Sequence, residues 1–181
     1  MSISRSQLLL VFLAMALAVM LPMRWIDRQL LNDDACCELL GRPVCSPVVC
    51  FEFAWTPAKA DAMLRSWEGK LHYLTLGFGL DFLFLLVYPL VFFLGLQQIA
   101  SHTRSNRLRT IAAFFAPLTL AAGALDAVEN IGLLRYLFGT RDAWLLQMSG
   151  ICAGIKFGLL VVGGVLILCG LFTLRNRAGK S

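Results

Sequence analysis

Apolar positions in this chain gather into four long runs, at about 7–23, 73–99, 110–134 and 144–174, separated by polar segments. A helix needs about 20 residues to cross a bilayer, and each run is near or above that length. The pattern predicts an all-α fold: a polytopic membrane protein, with residues 1–181 forming a single transmembrane domain. Its core is a four-transmembrane-helix bundle. The segment at about 24–72 is expected to be a disulfide-tied extracytoplasmic loop containing a short amphipathic helix. Thr56-Pro57 starts that helix, because threonine caps free N–H groups and proline suits the first helical position. Ala60, Met63, Leu64 and Trp67 then share one face, with Lys59, Asp61, Arg65 and Glu68 mostly elsewhere. Such a helix either lies on the membrane surface or caps the bundle.

The first run has a second reading. Arg5, a Leu-rich stretch and the small residues Ala14, Ala16 and Ala18 also have the form of a secretory signal peptide. Continuation of the apolar run to Met23 favours an uncleaved signal anchor. Cleavage would leave three spans with the other loops on the same sides.

Composition agrees with the pattern. The chain is 59% hydrophobic and 15% charged, against roughly 45–50% and about 25% in soluble domains. The charges orient it. Arg5 precedes the first run, Arg104, Arg107 and Arg109 crowd the link between the second and third, and Arg175, Arg177 and Lys180 follow the last. None of these segments carries an acid, whereas the 24–72 loop mixes both signs. By the positive-inside rule both termini are expected in the cytoplasm and the large loop outside. The expected location is a cell membrane, the bacterial inner membrane, with membrane lipids as partners. The net charge of +5 mostly reflects these flanks. No soluble basic module exists to bind nucleic acid.

Four of the six cysteines, Cys36, Cys37, Cys45 and Cys50, lie in the large loop. An even number in an oxidising compartment is read first as disulfides. A bond between the adjacent Cys36 and Cys37 would be strained, so each is expected to pair with Cys45 or Cys50. The competing reading is a vicinal-thiol metal or redox site. Four helices with outer-loop cysteines resemble, in outline, the disulfide-generating quinone reductases and the vitamin K epoxide reductases. Both of those families rely on a C-x-x-C pair, which this chain lacks, so no residue role is carried over. Cys152 and Cys169, inside the fourth run, read as small apolar packing residues.

The candidate chemistry lies inside the apolar runs. Asp81, Asp126, Glu129 and Lys156 are ionisable residues where charge is costly, which usually marks a paired, inward-facing site. Helix rise places them roughly 13, 20, 15 and 18 Å from the outer ends of their runs, which is one layer. Asp126, Glu129 and Asn130 form a stripe at i, i+3, i+4, and Asp81 shares a face with Tyr88. The polar-site candidates are therefore Asp81, Tyr88, Asp126, Glu129, Asn130 and Lys156. Lys156 is expected to pair with Asp126 or Glu129. A second acid would then hold a proton, a water or a cationic ligand. Gly150, Gly154 and Gly158 form a double G-x-x-x-G ridge alongside, suited to close helix packing.

Three functions compete. In the first, the site in the outer half of the bilayer binds a small molecule or proton for transport or exchange. Four helices enclose little volume, so a transporter implies a homo-oligomer. In the second, the same residues form a membrane-embedded acid/base enzyme acting on a lipid or apolar substrate. In the third, the chain is a non-enzymatic accessory or assembly protein whose polar cluster is structural. No metal site or cofactor is implied: no histidine lies among the acids, and G-x-S-x-G, H-E-x-x-H and phosphate-binding loops are absent.

Overall fold

The computed structural model describes residues 4–31, 37–39, 42–44 and 46–178. It is helical apart from one small antiparallel hairpin. Helix α1 (Arg5–Leu30) is followed by β1 (Cys37–Leu39), β2 (Arg42–Val44), α2 (Pro47–Glu52), α3 (Pro57–Ser66), α4 (Leu71–Phe84), α5 (Tyr88–His102), α6 (Asn106–Phe138) and α7 (Ala143–Ala178). The hairpin pairs Cys37 with Val44 and Leu39 with Arg42. Four helical segments are long and apolar enough to cross a membrane: Arg5–Leu30, Leu71–His102, Asn106–Phe138 and Ala143–Thr173.

Local chemistry explains most of the boundaries. Ser4 and Gln7 form a reciprocal capping box at the start of α1. Ser105 caps α6 by accepting the Leu108 N–H. Thr56 caps α3 by accepting the Lys59 N–H, with Pro57 at the first helical position. Helix α1 continues past the apolar run to Leu30, so the loop begins about two turns later than the hydropathy pattern predicts.

The second apolar run is not one helix. It breaks at residues 85–87, between α4 and α5. Pro89 has no N–H to give the Leu85 carbonyl, and its ring crowds that carbonyl. The break nests on α6 at Gly123, where a Cβ would lie 2.7 Å from the Pro89 ring and 3.1 Å from the Leu85 oxygen. A side chain at position 123 would push the two segments off α6. Pro117, by contrast, sits within an unbroken α6.

Helix α6 packs against α5 and α7, and α1 packs on the far side against α4 and α5. The main apolar core lies at the loop end. There Phe51, Ala60, Leu64 and Trp67 meet Leu74, Phe78, Leu133, Tyr136, Leu145 and Leu146. The amphipathic face of α3 is thus buried in protein and caps α6 and α7. The other end has a smaller cluster of Leu96, Ile99, Ala112 and Ala116.

The expected glycine ridge is divided. Gly150 receives the Trp55 indole, with ring carbons 3.1 Å from where a Cβ would be, whereas Gly154 and Gly158 face open space. Trp55 itself has φ 57 in a tight reversal, with the Thr56 N–H donating to the Ala54 carbonyl. Tighter glycine contacts between helices occur elsewhere, at Gly132 against Ser149 and at Gly170 against Ile99. Cys37 is bonded to Cys50, one of the pairings expected from the sequence. Cys36 and Cys45 lie outside the described residues.

Candidate functional site

The polar residues of the apolar helices converge. Helix α6 presents Asp126, Glu129 and Asn130 on one buried stripe. Helix α7 sends Lys156 toward it. The ammonium donates to Asp126 Oδ1 at 2.8 Å and lies 2.9 Å from Glu129 Oε2. The expectation of one partner was too small, because the two acids are one turn apart and both reach the same point. Lys156 is also backed by the Phe157 ring, 4.8 Å from its Nζ.

Asp81, on the last turn of α4, joins through Asn130, whose Nδ2 donates to Asp81 Oδ2 at 2.6 Å. Tyr88, the first residue of α5, is buried near Asp126, but its hydroxyl makes no well-formed hydrogen bond. Asp81 and Tyr88 thus flank the helix break. Ser149 donates to the Glu129 main-chain carbonyl at 3.1 Å and so ties α7 to α6 beside the cluster. Thr119 lies within bonding reach of the Ala116 carbonyl of α6 at 2.7 Å and the Pro89 carbonyl of α5 at 3.4 Å, and hydrogen-bonds to none of the cluster's side chains.

One member lies outside the apolar runs. Glu52, at the end of α2, is 6% exposed, and its Oε2 stands 3.9 Å from Lys156 Nζ. Three features carry it there. Asp27 at the end of α1 accepts the Val48 N–H and anchors the start of α2. Cys50 is tied to Cys37. Phe51 is fully buried and meets Trp67 edge-on at 5.8 Å. The next residues continue this packing, with Phe53 stacked on Phe157 at 6.1 Å. Burial pushes the Glu52 carboxyl well above its ordinary value, with Glu129 adding repulsion and Lys156 opposing.

The cluster therefore holds four carboxyls, one amide, one phenol and one ammonium. Its hydrogen bonding is incomplete. Glu52 Oε2, Glu129 Oε1, Asn130 Oδ1 and the Tyr88 hydroxyl are buried without hydrogen-bond partners among the described residues. Glu129 Oε2 meets Lys156 as an ion pair, off the hydrogen-bond direction. Buried polar groups are normally satisfied, so four unpartnered groups at one place call for further hydrogen-bond partners.

A cleft of ≈ 170 Å³ reaches this cluster from the side of α1. Met20, Met23 and Ile26 of α1, Val48 and Val49 of α2, and Phe78 and Phe84 of α4 form its walls, and both Glu52 and Asp81 line it. His72 and His102 lie apart from the cluster, exposed at opposite ends of the α4–α5 pair. No group of three or more His, Cys, Asp or Glu has metal-site geometry among the described residues. Comparison with protein-family models, curated proteins and solved structures gives no match, so the chemistry of the site stands on its own geometry.

Proposed function

We propose that this chain is an integral membrane protein whose intramembrane cluster binds a small molecule or proton for transport or exchange. Both termini are cytoplasmic in this reading, and the 24–72 loop with its disulfide lies outside. The membrane assignment is supported by an inverted surface: Leu21, Phe114, Val161, Leu168 and Phe172 are exposed while Asp126, Glu129, Asn130 and Lys156 are buried. In water such a surface would be a large apolar patch.

The observation that carries the functional reading is the surplus of acid. One lysine meets three carboxyls, a fourth joins through Asn130, and several of their oxygens lack donors. A structural ion pair needs one acid per base. A site with spare acceptors takes up and releases protons or donor-bearing ligands as part of its cycle. The helix break beside Asp81 and Tyr88 supports the same reading, because interrupted spans beside a midplane polar site are the usual build of secondary transporters.

Proton flux into liposomes, measured with a pH-sensitive dye, tests the proposal. Glu129→Gln keeps the shape of the side chain and removes its charge. We expect a folded variant with flux reduced about 100-fold or more, the lower end of the range for general acid–base groups. A folded Glu129→Gln protein with undiminished flux, or a wild-type protein with none, overturns the exchange reading.

A further inference from the structure

The cleft between α1, α2 and α4 has chemistry that selects its occupant. Its walls are methionine, isoleucine, valine and phenylalanine, and its acids are Glu52 and Asp81. Glu52 is more than nine-tenths buried, and its Oε2 has no hydrogen-bond partner. Asp81 is half-buried, with Oδ2 taken by Asn130. The site's own cation is already engaged, since Lys156 sits within 3 Å of both Asp126 and Glu129. Two further charged groups line the cleft, on α1. Asp27 is occupied by the Val48 N–H, and Arg24 is exposed. Asp27 is committed to the start of α2, whereas Glu52 and Asp81 both line the cleft and belong to the polar cluster, so these two acids face an incoming group.

Resting on the small-molecule reading above, we propose that this cleft binds the protonated head of an amphiphilic amine. The ammonium sits between Glu52 and Asp81, and the alkyl chain leaves between α1 and α4. An anion would be repelled by Asp81 and by any ionised Glu52, whereas a bound ammonium favours the ionised form of Glu52. A purely apolar molecule would leave the Glu52 oxygen buried without a donor. An ammonium supplies N–H donors and a charge, and the Phe78 and Phe84 rings add a favourable surface for a cation. Size narrows the class further. The ≈ 170 Å³ of the cleft is far above the roughly 10–15 Å³ that admits one water. It is below the roughly 300–1,000 Å³ of sites that enclose a drug-sized ligand. It therefore fits a head group with a short length of chain, the remainder staying in hydrocarbon.

Binding of tritiated octylamine to the full chain in zwitterionic-lipid nanodiscs tests the proposal, with empty discs subtracted. We expect saturable binding that unlabelled octylamine displaces and that octanol and octanoate do not. Glu52→Gln and Asp81→Asn should each weaken it at least about tenfold, the loss expected of a charged hydrogen bond. Gly77→Val, which narrows the cleft and leaves every acid in place, should weaken it as well. The Cβ of residue 77 meets only the Ile26 side chain at 3.5 Å, so the wall accepts the first carbon. Each variant is first checked for wild-type helicity and a single size-exclusion peak. If the charge variants do not fold, the wild-type competition profile decides. No saturable amine binding, equal competition by octanol, or unchanged affinity in folded Glu52→Gln would each overturn the proposal. Saturable amine binding without proton flux keeps the amine site and rejects exchange. Flux that Glu129→Gln abolishes, without amine binding, does the reverse.

Discussion

Among the described residues, close contacts between opposite charges fall in two regions and have almost the same length. At the rim, Arg141 donates to Asp61 at 2.6 Å, and Tyr136 donates to the same carboxylate at 2.9 Å. In the interior, Lys156 reaches Asp126 at 2.8 Å and Glu129 at 2.9 Å. The rim side chains are 49% and 35% exposed, whereas the three interior ones are at most 6% exposed. Distance alone therefore says little about consequence. Water screens the rim pair and can replace either partner. Nothing replaces Lys156 if it is lost, and four acids would share a dry site. The same difference separates the two regions in purpose. The rim pair links α3 to the turn after α6, and the interior cluster has more acceptors than it can satisfy.

The largest expected effect is that of Lys156→Met. Removing one member of a buried charged set costs about 3–5 kcal/mol, and thermal denaturation in detergent measures it. A loss no greater than that of Arg141→Ala would abolish the distinction between the regions. Next is the rescue of that variant. Adding Asp126→Asn removes one stranded acid, so the double variant should be more stable than Lys156→Met alone. The coupling should fall at about 0.5–3 kcal/mol, and a double variant with simply additive losses would show that the acids do not sense the lysine.

The pH dependence gives a smaller effect with opposite signs in the two regions. The Glu52 carboxyl titrates above its ordinary 4.5 in the fold, chiefly because it is buried. Above 4.5 the unfolded chain releases that proton while the folded chain keeps it, so stability falls as pH rises toward the folded value. Asp61 is held below its ordinary 3.8, first by the Tyr136 hydroxyl and then by Arg141. Its contribution is present above 3.8 and disappears as pH falls through the lowered value. Melting temperatures from pH 4 to 8 should thus show a shallower decline in Glu52→Gln than in wild type. An identical slope would mean that Glu52 does not stay protonated in the fold. The smallest effect belongs to Arg141→Ala, at about 0.2–1 kcal/mol and diminishing with added salt. A salt-independent loss would place the rim pair with the buried set.

Much of the interior site is visible in the sequence, because its parts are local patterns. Asp126, Glu129 and Asn130 lie at helical spacing within an apolar run, and a lone Lys156 in another run has few places to point. Glu52 is the residue that sequence reading passes over, as one more charge in a loop of mixed charges. Its signal is that it interrupts Val48-Val49-Cys50-Phe51 and Phe53. That signal becomes legible only once α2 is known to fold inward, held by the disulfide and by Phe51 on Trp67. The helix break is half legible in the same sense. Pro89 announces a defect, but its full separation of α4 from α5 fits only because α6 offers Gly123 opposite it. Gly150 carries a misleading signal: its spacing with Gly154 and Gly158 suggests a helix interface, while its neighbour is the indole of Trp55.

The sequence by itself determined the four long apolar runs, the start of α3 and the faces on which the charges lie. Those are properties of single segments, set by hydropathy, helical period and capping chemistry. Tertiary structure alone decided that Lys156 is shared by two acids and approached by a third, that Asp81 joins through Asn130, and that a cleft opens onto Glu52. These facts depend on which surfaces of distant segments come together, and burial against a partner leaves no periodic mark in either segment's own residues.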